Sequence, residues 1–273
     1  MKLNTFNMQQ IKLVILLLIL VAAKPKADLV LEGKYKSSYS YIPQNSGFFI
    51  SKSEITNEEY RKFLNHLRAI NDSETLQEAQ VDSARWKNEF SYGELYENYY
   101  FKSAEYNKYP MVNISKRGAE LYCQWLTETY NAIAKQKFLF RLPTEQEWLL
   151  AAQGGNSSAK YAWEGGSLTY EKKGKLFGRT LCNARISTTT SRTDTAKVNP
   201  SADITAPVIS YLPNAYGLFN MCGNVAEMLS DKPFTKGGSW NSKSEKVQIA
   251  ASEPYDGKPL ATVGFRVVAI PLK

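Results

Sequence analysis

The sequence predicts one irregular α+β domain, and three observations carry that expectation. Three segments repeat apolar residues at helical spacing, each opening on a serine or threonine placed to cap a helix. The closing run VGFRVVAI (263–270) has the pattern of a buried strand. From residue 155 onward Gly, Ser, Thr and Asn dominate, a composition that favours loops over long regular elements. No internal repeat, heptad pattern or linker divides the chain.

Taken in order, residues 13–23 form an apolar run of eleven residues behind Lys2 and Lys12, too short to cross a bilayer. With Val21 and Ala23 as small cleavage-site residues, the expectation is a signal peptide over 1–23 and export of the remainder. No cysteine follows the run, so a lipid anchor has no attachment point there. Residues 24–47 read as an extended lead-in or strand pair, and 48–273 as the domain. FFISKSEI (48–55) is strand-forming. Thr56 and Glu59 then make a capping box, each satisfying an amide the first helical turn leaves unpaired. Tyr60, Phe63, Leu64, Leu67 and Ile70 give that helix its buried face.

Residues 72–110 are polar and aromatic without a period. A stretch that long must pack on the body through its rings. A second helix begins at Ser115, with Leu121, Tyr122, Trp125, Leu126 and Ile133 inward and Cys123 beside them as a small buried hydrophobe. RLPTEQEWLLAAQGG announces a third: Pro143 extends the entry, Thr144 and Glu147 form a capping box, and Gly154–Gly155 end the helix. YAW (161–163) and APVISYL (206–212) are short strand candidates.

The formal charge is +8, or +6 without the leader, and the basic residues are scattered. Nucleic-acid binding needs a clustered stripe or a recognition motif, and neither is present. A single histidine, His66, excludes a His-rich iron, copper or zinc centre. Three cysteines, Cys123, Cys182 and Cys222, allow at most one disulfide in an exported chain.

The segments EITNEEYRKFL, YPMVNISKRGAELYCQWL, FRLPTEQEWLLAA, YAWEG, NAYGLFNMCGNVAE, KGGSW and VGFRVV occur in this order. Together they resemble the formylglycine-generating enzyme family, also called sulfatase-modifying factor domains, across residues 48–270. The resemblance implies an irregular α+β fold related to C-type lectins. Within the family, VDSARWKNEFSYGELYENYYFKSAEYNKYP (81–110) is similar to the aromatic insertion of the gliding-motility and type IX secretion proteins K and J. Those relatives are lipoproteins, which this chain departs from.

The resemblance also bears on chemistry. Active oxidases of the family bind copper through a cysteine pair shortly after GGS and convert a substrate cysteine to formylglycine. Counted from Gly237, those positions hold Ser242 and Val247 here, and no cysteine follows Cys222. Cu(I) prefers soft sulfur donors, so the expectation is no copper, no iron and no enzymatic activity. GLFNMCGNVAE (217–227) matches a calcium-binding segment of the family. It implies ligands from the Asn220 side chain, the Gly223 and Val225 carbonyls and the Glu227 carboxylate. The other reading of Glu227 is an ion pair with Arg266 or Arg141. A second calcium site at Asn183 and Asp203 is left outside the expected set. The tryptophans that flank this glutamate in the family are Ala226 and Met228 here.

The resulting expectation is an exported, non-catalytic scaffold partnering envelope or outer-membrane proteins, with the tyrosines of YENYYF and the loop 241–258 as contact surfaces. A divergent enzyme of the family and a lectin-like binder are the alternatives.

Overall fold

The computed structural model of the protein describes residues 30–45, 47–89, 92–185 and 204–272. The leader at 1–23 and Asp203 lie outside the described residues. The single α+β domain read from the sequence is what the structure shows over Glu32–Lys273.

The helices are α1 (Tyr35–Ser38), α2 (Asn57–Ala69), α3 (Ser73–Glu78), α4 (Gly93–Tyr99), α5 (Lys116–Ile133) and α6 (Glu145–Gln153). The strands are β1 (Tyr39–Ile42), β2 (Phe48–Ser51), β3 (Phe138–Arg141), β4 (Ala226–Met228), β5 (Phe234–Lys236), β6 (Ser252–Pro254), β7 (Val263–Gly264) and β8 (Val268–Pro271). They form two four-stranded sheets among the described residues, ordered β1-β2-β8-β3 and β6-β5-β4-β7. All pairings are antiparallel except β4 with β7.

The capping residues stand where the sequence put them. Thr56 and Thr144 each close a full capping box, and Ser115 accepts from the Gly118 amide. Each such cap stabilises its helix by about 1 kcal/mol. Gly154 ends α6 in the left-handed region, with φ 59°. Helices α2 and α5 meet through stacked Tyr60 and Tyr122, whose ring centroids are 5.7 Å apart, with Phe265 set edge-on against both. Gly118 makes that approach feasible, because a Cβ there would stand 2.8 Å from the Tyr60 hydroxyl oxygen.

The two helix stripes end earlier than expected. Ile70 is 55% exposed because α2 stops at Ala69 and Ile70 lies past the last turn as its C-cap. Ile133 is 82% exposed at the overhanging end of α5, and Tyr130 takes the inward place instead. The stretch 72–110 does pack through its rings. Trp86 and Tyr100 are fully buried, and the Tyr100 hydroxyl donates to the Pro110 carbonyl at 2.7 Å.

Neither YAW nor APVISYL forms a strand. Tyr161 and Trp163 stack face to face at 5.0 Å, so the segment finds a ring partner rather than a strand partner. In 206–212 the Ala206 amide and carbonyl are both taken by the Asn224 side chain, and Pro207 has no N–H to give a ladder. The closing run is likewise not one strand. It lays β7 in one sheet and β8 in the other, and the break at 265–267 carries Arg266 between them.

Candidate functional site

The turn at 217–227 is built from residues that tolerate left-handed backbone: Asn220 (φ 52°), Gly223 (φ 81°) and Asn224 (φ 68°). At 223 only glycine fits, since an added Cβ would sit 2.4 Å from the Asn183 carbonyl oxygen. The Asn224 amide donates to that same carbonyl at 2.8 Å, so the segments around 183 and 224 lie side by side.

Glu227, on β4, is almost fully buried. Its carboxylate meets Arg266 bidentately, both N···O distances being 2.6 Å, and accepts from the Trp148 indole at 2.7 Å. Of the two arginine partners left open by the sequence, Arg266 is the one it takes. Arg141 instead forks onto Glu147 at the start of α6, with both contacts at 2.7 Å. Arg266 spends further donors on the Ser51 and Phe219 carbonyls, which ties Glu227 to β2 and to the turn.

Beside this pair lies a residue that sequence reasoning passed over. Glu54 is fully buried, and Asn220 and Asn224 donate to its two oxygens at 3.2 and 2.8 Å. Burial pushes its pKa up to about 8, while nearby Arg266 pulls it down and Glu227 adds to the rise. The available signal was an acid set directly before a capping box, at the end of a strand pattern otherwise free of acids.

The groups implied as calcium ligands differ in what already engages them. Asn220 Oδ1 is buried with no donor, which fits a cation, and Asn183 Oδ1 is another such acceptor. Val225 is fully buried, packed among Trp86, Tyr100 and Trp240. Glu227, the single carboxylate of the set, has both oxygens engaged by Arg266.

At the positions implied for copper ligation, Val247 is in the apolar core with Trp148, Cys182 and Cys222. Ser242 is 8% exposed. The Ser239 amide donates to its Oγ at 3.0 Å, and that hydroxyl in turn donates to Glu253 Oε2 at 3.4 Å. Neither Ser242 nor Val247 is a soft donor, so thiolate-held copper does not fit these two positions. Glu253 was missed because it stands eleven residues beyond Ser242 in a stretch with no periodic signal, and the pairing of β6 with β5 brings it back.

Comparison with known proteins now adds to this geometry. The profile of the sulfatase-modifying factor enzyme 1-like domain matches residues 35–270. The formylglycine-generating enzyme of Thermomonospora curvata is 37% identical over 123 residues, covering 45% of this chain and 33% of that protein. The formylglycine-generating enzyme of Streptomyces coelicolor is 37% identical over 126 residues, covering 45% and 32%. The chain thus spans about a third of the length of these two relatives. Among solved structures, CarF superposes with a TM-score of 0.53 at 19% identity, covering 83% of this chain and 87% of that one, which supports the fold.

These relatives correct one expectation. The substitutions at Ser242 and Val247 led to the reading that the chain is not an enzyme, yet the relatives are named as enzymes and point to an enzymatic family. Loss of two thiols removes one way of holding one metal. It does not remove a cleft's capacity for other chemistry, and the step from one to the other was too broad. The match over residues 35–270, the shared fold and the ordered motifs together establish that the chain belongs to the sulfatase-modifying factor enzyme 1-like domain family.

Proposed function

We propose that the chain is a divergent enzyme of this family, exported to the cell envelope and acting on a polypeptide there, with Ser242 in place of a thiolate. The observation that carries the reading is the 3.4 Å contact between Ser242 Oγ and Glu253 Oε2. A hydroxyl beside a carboxylate is a nucleophile with a proton acceptor. The Ser242 proton passes to Glu253 as Oγ bonds to an electrophilic carbon of the substrate, and the departing group takes that proton away. Water then attacks the same carbon, giving one proton to Glu253, which returns it to Oγ as the Oγ–C bond breaks and the hydrolysed product leaves. Envelope or outer-membrane proteins, of the kind assembled in type IX secretion and gliding machinery, are its partners or substrates in this reading. Leu95 and Tyr99, exposed along α4, and Tyr92 just before it supply apolar contact area.

One preparation tests the whole proposal. The full-length chain is purified from the envelope fraction in mild detergent, and its co-purifying proteins are assayed as substrates beside a cysteine-bearing peptide and peptide esters. Turnover of at least one of these is expected, with a fall of about 100-fold in Ser242→Ala and in Glu253→Gln. Turnover unchanged in both variants, or no turnover on any substrate, overturns the assignment.

A structural calcium ion is part of the same proposal, held by Asn220 Oδ1, the Gly223 and Val225 carbonyls and a share of the Glu227 carboxylate. The unpartnered Asn220 acceptor supports it. Adding calcium to chelator-treated protein should raise Tm, and Asn220→Ala should abolish the rise. A Tm indifferent to calcium in the parent protein would remove the ion from the account.

A further inference from the structure

The three cysteines stand free and buried, and two of them converge. Cys182 and Cys222 are forty positions apart in sequence, yet both sit in one apolar cluster with Trp148, Tyr161 and Val247. The chain segments that carry them run against each other. The Asn224 amide donates to the Asn183 carbonyl at 2.8 Å, and a Cβ built on Gly223 would lie 3.2 Å from the Cys182 Cβ. Burial raises the Tyr161 hydroxyl, and both sulfurs lie near enough to add to that rise. Cys123 is elsewhere, on α5, where the charges of Glu120 and Arg141 act on it.

We propose that Cys182 and Cys222 are a cross-linking site that closes as a disulfide under oxidising conditions, leaving Cys123 as the unpaired thiol. The step is balanced with a disulfide oxidant such as oxidised glutathione. Two S–H bonds break and one Sγ–Sγ bond forms, while two electrons and two protons pass to the oxidant, which leaves as two thiols. The cross-link would fasten Asn183 to the turn that holds Asn220 and Asn224, the asparagines around Glu54. Burial also sets the kinetics. Both thiols are enclosed by the apolar cluster, so an oxidant reaches them only during folding or transient opening.

The test refolds the full-length chain with oxidised glutathione, alkylates it in denaturant and digests it without reduction. The expected product is one peptide pair joining Cys182 to Cys222, with Cys123 alkylated. The linked protein should melt higher than the reduced protein, and reductant should remove that gain. Cys123→Ser should keep both the link and the gain, whereas Cys222→Ser should lose both. All three cysteines alkylated after oxidative refolding, or a link that includes Cys123, overturns the proposal. Because the readout is a covalent bond, it stands or falls separately from the activity of Ser242.

Discussion

Glu227→Gln is expected to lower the unfolding free energy by about 3–5 kcal/mol, because it strands a charged guanidinium where no water reaches. Arg266 is 0% exposed and Glu227 1%. The pair is a bidentate contact, and the arginine also anchors the Ser51 and Phe219 carbonyls. With Glu227 neutral, those carbonyls alone cannot offset the desolvation of the cation. The measurement is the urea midpoint at neutral pH in chelator, so that no bound metal contributes. The double variant Glu227→Gln with Arg266→Met should regain more than half of the loss, since neither buried charge is then left alone. A single-variant change under about 1 kcal/mol would mean that the site admits water and the pair is of the weak surface kind.

The second large effect is a pH dependence set by Glu54. Its carboxyl is pushed from the ordinary 4.5 to about 8 by burial, so the folded chain keeps a proton that the unfolded chain releases. Below about pH 4.5 both states hold the proton and the group contributes nothing to the slope. Between about 4.5 and 8 the folded state binds more protons, so stability from this group is lost as pH rises. The slope is about 1.4 kcal/mol per pH unit in the middle of that window and vanishes above it. Urea unfolding of the parent protein from pH 5 to 8 should therefore show a falling midpoint, and Glu54→Gln should flatten it. Parallel profiles for the two proteins would show that Glu54 ionises freely in the fold.

Much of the framework was legible in the chain because its signals are local. A threonine three residues before a glutamate names a helix start without any tertiary help, and Thr56, Ser115 and Thr144 all cap as read. The errors came where a distant group decides. YAW has strand propensity but stacks its own rings, and the backbone of Ala206 is claimed by an asparagine eighteen residues away. The candidate site was half legible for the same reason. The 217–227 turn announces itself through Asn and Gly, but Glu54 enters it from 170 residues earlier than Asn224. Only folding shows that Glu253 returns to Ser242.

The hand-over within VGFRVVAI has a consequence for how the molecule comes apart. Three residues, 265–267, separate a strand of one sheet from a strand of the other. So short a tether leaves little slack, and parting β7 from β4 puts tension on β8 in the other sheet. Loosening at one end of this run is thereby passed to the other, which makes these eight residues the place where the two sheets feel each other's opening.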